Sequence, residues 1–144
     1  MKKILYRLLL LFYSKFFSTD NLSNKFPISV KGIILDNDKY LLVKNERSEW
    51  DFPGGKLDKG DSVKKTLIRE IKEELNLDVL IKKLVYAENH IVNGLPVMIV
   101  VFETLITSDE KISLSYEHIN YNFYNANEIK GLKLADWVIN LLNN

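Results

Sequence analysis

Residues 50–77 read W-D-F-P-G-G-K-L-D-K-G-D-S-V-K-K-T-L-I-R-E-I-K-E-E-L-N-L, and no other stretch restricts the fold as much. Gly54 and Gly55 follow Pro53, and paired glycines mark a tight turn where backbone can approach a ligand or another strand closely. A helix is predicted almost at once. Asp61 or Ser62 is its natural N-cap, and Leu67, Ile68, Ile71 and Leu75 recur at helical spacing as its expected buried face. Arg69, Glu70, Glu73 and Glu74 are interleaved with them. Positions three and four apart share a helix face, so the three glutamates are expected to form one patch.

Three neighbouring carboxylates repel one another unless a cation offsets them. Lys64, Lys65, Arg69 and Lys72 supply part of that offset, and a solvated charged helix is the plain alternative. The glycine turn one short connection upstream favours a second reading. Carboxylates, a backbone carbonyl and water form the all-oxygen set that Mg²⁺ or Mn²⁺ prefers, and such an ion bridges phosphate oxygens.

These residues resemble the signature of the Nudix hydrolase family, G-x5-E-x7-R-E-U-x-E-E-x-G-U, where U is a bulky aliphatic residue. Laid from Gly55, the chain supplies Asp61, Arg69-Glu70-Ile71, Glu73-Glu74, Asn76 and Leu77. The preceding W-x-F-P-G-G-K is similar to the usual entry to that box. Two positions depart from the pattern. Asp61 replaces a glutamate and is one methylene shorter; Asn76 replaces the helix-ending glycine, for which Asn is the usual substitute in a left-handed C-cap.

The resemblance implies an α/β/α sandwich with a mixed sheet and a hydrolase dependent on Mg²⁺ or Mn²⁺. Its expected reaction is cleavage of a pyrophosphate bond in a nucleoside diphosphate linked to another moiety: a nucleotide sugar, ADP-ribose or a nucleoside triphosphate. It also assigns roles. Glu70 and Glu74 are the principal metal ligands, Glu73 is the third, and the Gly54 or Gly55 carbonyl is a further one. Arg69 orients the acids, paired with Asp61 or Glu73. Gly54, Gly55 and Lys56 are expected among the substrate-binding residues. Glu117, in the later run Ser115-Tyr116-Glu117-His118, is the expected late-loop acid and general base, with Glu88 and Glu103 as weaker rivals and His118 in a hydrogen-bonding role. Trp50 is a candidate to stack on a base, against the default of core packing. The alternative function is a Nudix-fold module that binds a nucleotide without cleaving it.

Composition narrows the remaining classes. The 144 residues suit one domain, and the net charge of +1 lacks the basic excess expected of a nucleic-acid groove. The expected partner is a small nucleotide. With no cysteine, disulfides, thiolate zinc sites and thiol chemistry are excluded, which agrees with a cytoplasmic location. With two histidines, His90 and His118, a His-rich metal site is not expected.

Residues 1–17, M-K-K-I-L-Y-R-L-L-L-L-F-Y-S-K-F-F, predict an extra N-terminal helix. Arg7 interrupts the apolar run and no small-residue cleavage site follows, unlike a signal peptide. Three readings stay open: packing on its own domain, a homodimer contact, or peripheral contact with a membrane surface. A polar connector, residues 18–25, leads to the domain proper at residues 26–144.

From Pro27 the pattern is that of strands. A hairpin turning at Asp36-Asn37-Asp38 precedes the box; runs at 79–86 and 96–106 around Asn93-Gly94 and a half-buried strand at 119–124 follow it. A short helical turn at 126–129 and a helix over 134–142 close the chain. This order predicts a mixed sheet with helices on both faces.

Overall fold

In the computed structural model the described residues are 27–143; the helix expected at residues 1–17 and its connector lie outside them. The first hairpin joins β1 (Ile28–Asp36) to β2 (Lys39–Lys44). Its turn residues Asn37 and Asp38 have φ of 47° and 60°, the doubly left-handed geometry that matches the twist of paired strands and that Asn and Asp tolerate. The short strands β3 (Trp50–Asp51) and β4 (Gly54–Lys56) follow, and then helix α1 (Val63–Leu75).

Ser62 caps α1, its hydroxyl accepting from the Lys65 N–H at 3.3 Å. Asn76 ends it with φ 59° and ψ 28°, the left-handed cap expected of that residue. Leu67, Ile71 and Leu75 are fully buried; Ile68, expected beside them, is 41% exposed, and Thr66 takes the inner position instead. The docked stripe is therefore rotated slightly toward the Thr66 side. At about 1.5–3 kcal/mol per buried aliphatic side chain, those three residues are the main attachment of the helix to the sheet.

After α1 come β5 (Val79–Val92), β6 (Leu95–Ile106), β7 (Asn120–Tyr124), α2 (Ala126–Ile129) and α3 (Asp136–Leu142). β5 extends six residues past the apolar run. Polar Glu88, Asn89 and His90 stay in register with Ile99, Met98 and Val97 up to a second left-handed turn at Asn93-Gly94. The sheet order is β3-β2-β1-β6-β5. β1 runs parallel to β6 and antiparallel to its other neighbours, which makes the sheet mixed.

Two cores sandwich this sheet. Val30, Ile34, Leu41, Val43 and Phe102 pack with α1; Leu42, Phe52, Ile99 and Val101 pack with Ile129, Trp137 and Val138 of α2 and α3. The alternation of Leu41, Leu42 and Val43 between the two sides is the period-2 pattern of a strand. The class is α/β, as expected. β1 also forks: Ser29–Lys31 pair with β4, whereas Leu35 and Asp36 pair with β2. The glycine turn sits at that fork. Among the described residues no helix is long and apolar enough to cross a membrane.

Candidate active site

Gly54 has φ 131°, and a Cβ there would run into the Val30 carbonyl oxygen and stand 3.0 Å from Lys31 Cα. A glycine is therefore required where β4 comes up against β1. Gly55 is required for another reason: its missing side chain leaves the space that the Glu70 carboxylate fills. The turn and the helix are thus built as one unit. Gly54 N–H donates to Glu74 Oε2 at 2.8 Å.

The other oxygen of Glu74, Oε1, lies 2.7 Å from His118 Nε2. On the solvated-helix alternative Glu74 would be exposed, but it is 4% exposed. Burying a carboxylate is costly unless donors meet its oxygens, and here each oxygen has one. The other ring nitrogen of His118, Nδ1, is buried and has no hydrogen-bond partner among the described residues.

The loop that brings His118 is tied to the end of α1. Ser113 and Ser115 N–H groups donate to the Leu75 and Glu74 carbonyls at 3.0 and 2.9 Å, satisfying acceptors that a helix C-terminus leaves free. The structure therefore brings His118 of the S-Y-E-H run to the box. Glu117, with Tyr116, forms the exposed tip of a turn. Glu103 is paired with Lys83 at 3.3 Å.

Arg69 gathers four acids. It lies 2.5 Å from Asp58, 2.9 Å from Glu70, 3.1 Å from Glu73 and 4.0 Å from Asp61. Glu73 was one of its two expected partners. Asp61 reaches it only at the limit of an ion pair, as its shorter side chain dictates, and Asp58 holds the closest contact. Glu73 is consequently turned toward Arg69 and its side chain is 59% exposed, whereas that of Glu70 is 16% exposed. Among the described residues no three His, Cys, Asp or Glu side chains gather as a metal-holding group; the acids against the turn are a pair, Glu70 and Glu74. Burial pushes the Glu70 carboxyl above the usual range, and the charges of Glu74 and Glu73 add to this against the opposing Arg69.

An all-oxygen cation fits such a pair. Mg²⁺ is commonly held by one or two carboxylates, with substrate phosphates and water completing its shell. Burial first, and the neighbouring Glu74 and Glu73 after it, raise the cost of a charge on Glu70, a cost that a cation beside the carboxylate would offset.

On the other side of the fork lies a cleft of about 290 Å³, lined among others by Lys31, Arg47, Asp51, His90, Asn93 and Asp136. Lys31 Nζ donates to Asp51 Oδ2 at 2.9 Å and to the Phe52 carbonyl at 3.2 Å. Arg47 bridges the β2–β3 loop to the second hairpin turn through Asn93 Oδ1 at 3.3 Å. None of these was expected from sequence as a site residue. The available signal was Lys31 itself, a lysine inside the apolar run I-S-V-K-G-I-I-L.

Trp50 requires a correction. It is 7% exposed, lies edge-on to Tyr124 at 5.0 Å, and is fixed by backbone bonds to Lys133 and Ala135. Buried in the α3-side core, it offers no open face for a base. Lys56 is exposed at the end of β4, beside the turn.

A family model described as the NUDIX domain matches residues 25–142. An mRNA-decapping protein of Variola virus, OPG122, is 29% identical over an alignment covering 86% of this chain and 55% of the viral protein. An RNA pyrophosphohydrolase of Campylobacter jejuni is 59% identical over 29 residues, 20% of this chain and 19% of that protein. This chain thus spans about half the viral relative and about a fifth of the bacterial one. Among solved structures, the MutT protein of Methanosarcina mazei Go1 superimposes with a TM-score of 0.73 at 26% identity, covering 82% of this chain and 91% of that one.

Proposed function

The chain belongs to the NUDIX domain family, and from that premise we propose that it is a hydrolase cleaving a pyrophosphate bond in a nucleoside diphosphate linked to another moiety. One observation carries the reading: Glu70 and Glu74 are presented side by side against the glycine turn, Glu74 with both oxygens held by Gly54 N–H and His118. A helix that is merely solvated has no reason to bury a carboxylate in this way.

Glu70 and Glu74 are the proposed ligands of Mg²⁺ or Mn²⁺, with backbone oxygen from the turn. Bound there, the cation would offset charge on the phosphate oxygens and lower the pKa of the attacking water. The chain's own contribution is positioning, which dominates phosphoryl transfer. His118 and Gly54 N–H fix Glu74, while Arg69 fixes Glu70 and holds Glu73 out of the pair. The cleft accepts the part of the substrate beyond the scissile bond, and Lys56 meets exposed phosphate oxygen. Glu117 is the proposed proton acceptor, from the tip of the loop that carries His118.

The test is release of phosphate-containing products from nucleotide sugars, ADP-ribose, dinucleoside polyphosphates, nucleoside triphosphates and RNA with a 5′ pyrophosphate bond. RNA enters because of the names of the two curated relatives. Turnover that requires the metal and disappears in Glu74→Gln supports the proposal. Binding of a panel member without turnover in any metal would instead establish the non-cleaving module. A cytoplasmic location is proposed with it, and sedimentation with anionic liposomes, with and without residues 1–17, tests membrane contact.

A further inference from the structure

Lys31 stands in the middle of an apolar strand, with Val30 and Ile34 of the same strand in the α1 core. Packing alone gives no reason for an ammonium there. The Lys31 and Asp51 side chains are 13% and 15% exposed, and a pair so buried adds little stability over well-packed apolar residues of similar size. The pair is nevertheless carefully held. Asp51 Oδ2 accepts from Nζ at 2.9 Å, and its Oδ1 accepts from the Phe52 N–H at 2.7 Å. The Phe52 carbonyl accepts a second Nζ hydrogen at 3.2 Å.

An ammonium carries three hydrogens. The remaining acceptor, the Gly54 carbonyl, is at 3.5 Å, the outer limit of a hydrogen bond. Lys31 also lines the cleft and stands within electrostatic reach of both Glu74 and Glu70. Lys31 thus links the cleft to the glycine turn that holds the carboxylate pair.

We propose that Lys31 is a phosphate-contact residue, its third N–H turning to an oxygen of the substrate phosphate next to the group held in the cleft. Asp51 and the Phe52 carbonyl hold the ammonium in place before the ligand arrives. The proposal deepens the hydrolase reading and rests on it for the identity of the ligand, a pyrophosphate ester. Lys31 would be a fixed cation at the cleft, next to the turn whose Gly54 N–H holds Glu74.

The experiment follows the Lys31 Nζ resonance in ¹⁵N-lysine-labelled protein during titration with inorganic pyrophosphate in chelator. A saturable shift of that resonance is expected. Removing Lys31 alone would strand Asp51, so the variant is Lys31→Met with Asp51→Leu; it should melt close to the parent and bind pyrophosphate about 10–100-fold more weakly, the value of a hydrogen bond to a charged group. Lys31→Arg should keep part of the affinity. With a hydrolysed substrate, the double variant should raise KM more than it lowers kcat. A Lys31 resonance that stays still up to the solubility limit of pyrophosphate, or a double variant with unchanged affinity and KM, overturns the assignment. A Lys31 shift in a protein that cleaves nothing overturns the hydrolase reading and leaves this contact standing.

Discussion

Alanine at Gly54 and alanine at Gly55 should fail in different ways. At Gly54 the backbone has φ 131°, a region that costs a non-glycine residue about 1–3 kcal/mol. The added Cβ also meets backbone of β1, at Val30 O and Lys31 Cα, which cannot move without opening the β1–β4 pairing. Together these give a loss of about 3–5 kcal/mol, a large share of the roughly 5–15 kcal/mol that holds a domain folded. At Gly55 the obstacle is the Glu70 carboxylate, the far end of a flexible side chain. Gly55→Ala should therefore cost about 1 kcal/mol or less but push Glu70 off the turn, weakening Mn²⁺ binding. Urea unfolding gives the stabilities, and Mn²⁺ titration by electron paramagnetic resonance gives the affinity. Equal losses of stability in the two variants, or full Mn²⁺ affinity in Gly55→Ala, would refute this account of the turn.

Glu74→Gln should keep the fold, since its amide oxygen still accepts from Gly54 N–H and its NH₂ can donate to a neutral His118, while Mn²⁺ affinity and turnover fall; normal turnover would remove Glu74 from the site. Glu117→Gln should slow turnover with Mn²⁺ affinity largely kept, whereas His118→Ala should weaken both because it frees Glu74. Identical behaviour of the two would mean that the loop acts as a single structural element. Glu70 binds its proton more tightly folded than unfolded, because burial raises its pKa. Stability should thus decline as pH rises from the ordinary Glu value of 4.5 through the raised folded value, and level off beyond it. Glu70→Gln should abolish that decline and melt higher at neutral pH, and a lower melting temperature there would contradict the assignment.

Local signals carried much of this structure. The glycine turn, the Ser62 cap, the left-handed Asn76 and both hairpin turns depend on residues within one turn of themselves, where chain chemistry acts directly. The two-sided sheet followed from alternation such as Leu41–Leu42–Val43. Contacts that join distant segments were hidden. His118 reaches Glu74 across 44 positions and Lys31 reaches Asp51 across 20, and only strand register and the loop over the end of α1 bring them together. Trp50 reads as a loop aromatic, but its backbone bridge to Leu134 draws it into the core. Asp61 or Glu73 reads as the partner of Arg69, and Glu73 does pair with it, yet Asp58, on the connection out of β4, reaches that guanidinium more closely than either.

Crystals soaked in Mn²⁺ and measured at its absorption edge address the central claim most directly. An anomalous peak between the Glu70 and Glu74 carboxylates, beside the glycine turn, is the predicted result. A peak only among Asp58, Asp61 and Glu73, the exposed acids around Arg69, would contradict it and move the metal away from the turn.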